Sequence, residues 1–150
     1  MTSVVGEQLR TILRRIRGIA FDMDGVLYRG EQPLPAASAL LAELAGWGIG
    51  FVMVTNNATK TPDEYAAKLS RMGMAVPPER IVTSAIATRD WMRQRYRRGT
   101  TVYVLGMTAL ERAVYDGGYF VPAGREAQVV VNGADFALTY EKLKIATLAI

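Results

Sequence analysis

Asp22 and Asp24 stand two residues apart in the segment Asp22-Met23-Asp24-Gly25, directly after the short apolar run Gly18 to Phe21. The two-residue period of extended chain sends both side chains toward the same side, so two carboxylates can share one reaction centre. Such a pair offers a nucleophile and a ligand for a metal ion. A second polar segment, Thr55-Asn56-Asn57, follows the apolar run Gly50 to Val54. It brings a hydroxyl, side-chain amides and backbone N–H groups, all donors suited to phosphate oxygens. Either segment alone has a plainer explanation, a turn for Asp-x-Asp-Gly and an Asx-closed loop for Thr-Asn-Asn. Their joint occurrence, each after an apolar strand and in this order, is more specific. Ligands of open parallel sheets bind outside the carboxyl ends of the strands, so the two segments are expected to face one pocket.

The composition narrows the chemistry further. The 150 residues contain no cysteine and no histidine. Disulfides, thiolate zinc sites, imidazole ligands and Ser-His-Asp or Cys-His machinery are therefore excluded, leaving carboxylates, hydroxyls, amides, lysine or a bound metal. Half of the residues are hydrophobic and 21% are charged, the balance of a globular protein. The apolar runs are far shorter than the roughly 20 residues needed to cross a bilayer, and no secretory signal is visible. A cytoplasmic setting without a membrane partner is expected. The net charge of +4 is concentrated in two short arginine-rich stretches, so nucleic acid is not the expected partner.

Strands and helices alternate along the chain. Leu9, Ile12, Leu13 and Ile16, interleaved with Arg10, Arg14, Arg15 and Arg17, predict an amphipathic basic helix. Buried strands are predicted over Gly18 to Phe21 and Gly50 to Val54, with further strands at Ile81 to Thr83, Thr101 to Leu105 and Gln128 to Val131. Helices are predicted over Ala36 to Ala45, from Thr61 to near Gly73, and over Ala85 to Arg98, Ala109 to Asp116 and Thr139 onward. The second of these opens with Thr61-Pro62-Asp63-Glu64, a threonine N-cap with proline at the first helical position and glutamate at the third. The alternation predicts an α/β protein with parallel sheets. A domain join is expected near Tyr96 to Thr101. The arginines there, beside Trp91 and Tyr96, fit a solvated helix face better than a stacking surface for nucleic acid.

Asp22 to Gly30 resembles motif I of the haloacid dehalogenase superfamily, and Val54 to Pro62 resembles motif II of its subclass IIA, which includes NagD-like and para-nitrophenyl phosphatases. Similarity continues through Thr83-Ser84-Ala85, Val102 to Gly106, and Gly133-Ala134-Asp135 with Leu138 to Leu143, so it covers about Gly18 to Ile150. The resemblance implies a Rossmann-like parallel core over residues 18–98 and part of a C2-type α/β cap over 99–150, behind an N-terminal helical extension over 1–17. It further implies Mg²⁺-dependent hydrolysis of a small phosphorylated metabolite through an aspartyl-phosphate. In that scheme Asp22 attacks phosphorus and Asp24 protonates the leaving alcohol, then activates water. The Mg²⁺ ion is held by the Asp22 side chain and the Asp24 carbonyl, and it offsets the repulsion between carboxylates and an anionic substrate. Thr55 and Asn57 hold the phosphoryl group, and Asn56 sits beside them as a further phosphate-binding residue or supports the loop. Asp135 is expected to face the substrate cleft, with capping of the following helix as the plain alternative.

The sequence departs from the family at Asn132, where an apolar residue is usual, and in having no counterpart of the motif III lysine or the motif IV acidic pair. The apolar periodicity of Leu138, Leu143, Ala146 and Ile150 also runs to the final residue without a cap. The expectation is an N-terminal portion of a hydrolase, nearly inactive alone, with an exposed edge beside the first strand. The alternative is a non-catalytic phosphate-binding or interaction module that lacks the complete metal site. The apolar stripes of the first and last helices leave homo-oligomerisation open.

Overall fold

The computed structural model describes residues 15–150. The basic helix expected over residues 1–17 lies outside them but for 15–17, which are not helical. The strands are β1 (Gly18–Asp22), β2 (Tyr28–Arg29), β3 (Gln32–Pro33), β4 (Gly50–Thr55), β5 (Ile81–Thr83), β6 (Thr101–Leu105), β7 (Val121–Pro122) and β8 (Val129–Asn132). The helices are α1 (Ala37–Gly46), α2 (Pro62–Arg71), α3 (Ser84–Arg95), α4 (Thr108–Val114) and α5 (Tyr140–Leu148). They build two parallel three-stranded sheets, in the orders β1-β4-β5 and β7-β6-β8, and a small antiparallel hairpin of β2 and β3.

Register sets the height of the polar segments. Asp22 pairs with Val54 across β1 and β4, so the loop after Thr55 leaves the sheet at the level where β1 delivers its first aspartate. Each sheet has its own core. The first joins Phe51 and Met53 of β4 to Leu41 and Leu44 of α1 and to Tyr65 and Leu69 of α2. The second joins Val102 and Val104 of β6 to Ala85 and Met92 of α3, Leu110 and Val114 of α4, and Phe120. Helix α3 follows β5 directly and contributes Ala85 and Met92 to the second core.

Local chemistry accounts for the start of α2. The Thr61 hydroxyl accepts the Glu64 N–H at 3.3 Å, and the Glu64 carboxylate accepts the Thr61 N–H at 2.6 Å. This reciprocal pair satisfies two donors that a helix start leaves open, as the sequence predicts. Helix α3 stops three residues short of its predicted end for a tertiary reason. The Tyr119 hydroxyl lies 3.4 Å from the Arg93 carbonyl and 3.2 Å from that of Tyr96, so it serves the last turn where the helix would have continued.

The strands expected to be buried are covered on one face only. Along β4, Phe51, Met53 and Thr55 are buried while Gly50, Val52 and Val54 are exposed, and β1 is nowhere fully buried. Helices α1 and α2 cover one face, and among the described residues β1 pairs on one side, leaving the exposed edge that was expected. The two-residue strands β2, β3 and β7 are too short to leave a period in the sequence.

Candidate active site

Strand β1 ends at Asp22, and the chain then curls back on itself. The Met23 carbonyl accepts N–H groups from Leu27 at 2.9 Å and Tyr28 at 3.3 Å, and the Gly25 N–H reaches the Tyr28 carbonyl at 2.7 Å. Gly25 sits at φ +81°, a left-handed conformation that glycine adopts without a Cβ clash. The loop turns both aspartates into an open cleft of about 370 Å³ lined by Asp22, Asp24, Thr55, Asn56 and Asn57. Five of the six residues singled out from the sequence therefore meet in one place.

The facing loop holds itself in shape. The Thr55 hydroxyl accepts the Asn57 N–H at 3.2 Å, and the Asn57 side-chain carbonyl accepts the Thr59 N–H at 2.8 Å. From the start of α3, Ser84 donates to the Asn56 carbonyl at 2.8 Å. Asn56 thus anchors the loop through its backbone while the loop's polar groups line the cleft. On the other side, Asp22 Oδ1 accepts the Met23 N–H at 2.7 Å, and the carboxylate of Asp24 takes no hydrogen bond from the described residues. An acid oxygen without an intramolecular partner at an open cleft is available to a ligand.

Asp135 does not join them. Its Oδ1 accepts the Ala137 N–H at 2.8 Å and its Oδ2 meets the Lys142 ammonium at 2.6 Å, with the side chain only 4% exposed. The lysine hydrogen bond and then the Ala137 N–H hold its carboxyl below the usual carboxylate range. It is not among the residues that line this cleft, and the Lys142 ammonium holds its carboxylate. It does not cap α5 either, because Thr139 does so through the Lys142 N–H at 3.3 Å. The neighbouring groove of about 530 Å³ is lined instead by Gly133, Ala134 and Phe136 opposite Asn56 and Asn57. Asn132 keeps the ladder regular, since the Gly133 N–H reaches the Leu105 carbonyl at 2.8 Å. At Gly133 a Cβ would lie 2.7 Å from a Leu110 methyl, so a larger residue here would have to displace the end of that side chain.

Beside Gly25, the cleft is further lined by Tyr28, Lys60, Tyr65 and Lys68. Burial pushes the Tyr28 hydroxyl up to about 12, with Tyr65, Asp24, Asp22 and Glu31 adding to the effect, so it stays a neutral donor. Burial also raises Tyr65, against a side-chain hydrogen bond with Thr55. Lys68 is buried on the core side of α2 in line with Tyr65 and Leu69. That placement was readable: a lysine three residues after a tyrosine, in the apolar stripe of an amphipathic helix, signals a cation held inside.

The family model of the haloacid dehalogenase-like hydrolases matches residues 19–119. The chain belongs to this family. An acid sugar phosphatase of Staphylococcus aureus is 36% identical over 138 residues, covering 92% of this chain and 53% of the relative. A crystal structure of a hypothetical protein from Pyrococcus horikoshii superposes with a TM-score of 0.83 at 42% identity, covering 89% of this chain and 54% of the other. A 4-nitrophenylphosphatase from Thermotoga maritima gives 0.81 at 34% identity, covering 90% and 51%. The chain thus spans about half the length of the relatives it matches.

Proposed function

We propose that this haloacid dehalogenase-like protein hydrolyses small phosphomonoesters through an aspartyl-phosphate on Asp22. The observation that carries the proposal is the convergence of Asp22, Asp24, Thr55 and Asn57 on one open cleft. Asp22 has one oxygen held by the Met23 N–H, which fixes the carboxylate and leaves the other oxygen to attack. The new bond joins that oxygen to phosphorus as the ester P–O bond breaks, and Asp24 gives its proton to the departing alcohol. Water then attacks phosphorus, Asp24 takes the water's proton, and inorganic phosphate leaves with Asp22 regenerated. Thr55 and Asn57 orient the phosphoryl group from the facing loop.

The donor set suits Mg²⁺. A hard cation takes oxygen ligands, keeps several waters, and is commonly held by one or two carboxylates plus substrate phosphate. The Asp22 carboxylate and the Asp24 carbonyl would hold it, and when bound it offsets the charge of carboxylates and phosphate at one centre. The second sheet with α3 and α4, beginning near Ser84, would form the cap over this cleft, and the substrate would be a phosphorylated metabolite.

The test is Mg²⁺-dependent release of phosphate from 4-nitrophenyl phosphate by the complete protein, followed by Asp22→Asn. Turnover that disappears in the variant while the fold persists supports the nucleophile; wild-type-like turnover would falsify it. A second reading is a phosphate-binding module without catalysis, which the polar Thr55 to Asn57 loop at the cleft would also serve. Phosphate binding that depends on Thr55 without any turnover would select that reading.

A further inference from the structure

Lys68 is an unusual residue to find at the floor of an anion-handling cleft. Its side chain is 9% exposed, whereas its ionic partner Glu31, 3.3 Å away, is 72% exposed. The ammonium also lies 4.0 Å from the centroid of the Tyr28 ring, which is itself 3% exposed. Lys68 belongs to α2, and both of its partners belong to the β2–β3 hairpin: Tyr28 begins β2, and Glu31 sits in the turn before β3. Two-residue strands do not hold a hairpin together in water. Here the hairpin has two paired positions, Tyr28 with Pro33 and Arg29 with Gln32, and proline brings no N–H to the ladder.

The hairpin in turn positions the catalytic loop. The Tyr28 carbonyl accepts the Gly25 N–H at 2.7 Å, and Tyr28 bridges back to Asp24. A chain of contacts therefore runs from the Lys68 ammonium through the Tyr28 ring and backbone to the peptide that carries Asp24. We propose that Lys68 is a positioning residue that clamps the β2–β3 hairpin to α2 and thereby fixes the Asp24–Gly25 turn at the cleft. Its effect on phosphate rests on the cleft assignment under Proposed function, while its effect on the hairpin does not.

The experiment compares Lys68→Met, Lys68→Arg and Glu31→Gln in the complete protein by two measurements. One is amide hydrogen exchange at Gly25 and Leu34, whose N–H groups bond within the hairpin loop. The other is binding of inorganic phosphate in the presence of Mg²⁺, followed by the amide shifts of Thr55 to Asn57. Lys68→Met is expected to speed exchange at both amides about tenfold and weaken phosphate by a similar factor, the scale of a desolvated cation–π contact. Lys68→Arg is expected to restore both to within about twofold, because arginine also satisfies a carboxylate and an aromatic face. Unchanged hairpin exchange in Lys68→Met overturns the proposal, as does failure of arginine to rescue. Should Lys68→Met not fold, Glu31→Gln decides, since Glu31 is exposed and its removal must still loosen the turn. A wild-type protein that shows no phosphate response defeats the cleft assignment, and the exchange measurement still judges the clamp.

Discussion

At the carboxyl end of the first sheet, Asp22 accepts one backbone N–H and Asp24 accepts none from the described residues, whereas beyond the second sheet both oxygens of Asp135 are engaged. Both sheets are built of three parallel strands, although the chain visits them in the order first-second-third in one and second-first-third in the other. Their acids differ in company as well. Lys142 reaches back from α5 and neutralises Asp135, while among the described residues no ion pair forms at Asp22 or Asp24. An acid whose partners lie within the chain shapes a loop, and one left open to a hydrated cleft is free for a ligand. The surfaces differ in the same sense. The first sheet leaves Val52 and Val54 exposed, while Val102 and Val104 at the centre of the second are buried.

Paired substitutions test that contrast most severely. In the complete protein, Asp22→Asn is expected to lower phosphatase turnover by at least about 10³-fold, the scale seen when an activated nucleophile is removed. Asp135→Asn, by contrast, should leave kcat within about tenfold, as expected for a group that touches no reacting atom. Equal losses in steady-state assays would erase the distinction between the two acids.

Stability offers the next test. Phe120 is 1% exposed and packs in the second cluster alone, so Phe120→Ala should cost about 3–5 kcal/mol in urea unfolding. Amides of β6 should lose protection from exchange first, while those of β4 keep theirs. A uniform loss across both sheets would show that the two cores open as one unit.

The Asp135–Lys142 pair also makes the second loop sensitive to acid. Because Lys142 holds the Asp135 carboxyl below its usual range, the pair contributes stability that is present at neutral pH. That contribution is lost as pH falls through the lowered value. Exchange at the Ala137 amide should therefore accelerate in acid, and Asp135→Asn should remove the dependence. The smallest effect is expected at the start of α2, where Thr61→Ala should cost about 1 kcal/mol by removing one half of the capping box, measured by the urea midpoint.

Much of this was legible because it depends on near neighbours. The capping box at Thr61 and Glu64 is a matter of three residues' spacing, and the structure forms it. The strand-then-acid and strand-then-amide patterns at Asp22 and Thr55 were read from apolar runs and turn chemistry, and the register of β1 on β4 brings them level. Lys68 was readable in principle from its position on the helical stripe, although its partners in the hairpin were not. The pairing of Asp135 with Lys142 was not legible, because nothing in Gly-x-Asp says which cation will reach it.

By itself the sequence determined the α/β alternation, the parallel sheets, and the two polar segments that end in the cleft. It did so because period, capping and strand termination are set within a few residues along the chain. The tertiary structure decided the rest: which face of β4 is covered, where α3 stops under the Tyr119 hydroxyl, and which sheet α3 joins. It also decided that Lys142 claims Asp135 and that Lys68 lies beneath Tyr28. These outcomes join residues that are distant in sequence, and burial and charge pairing are properties of neighbours in space that spacing along the chain does not encode.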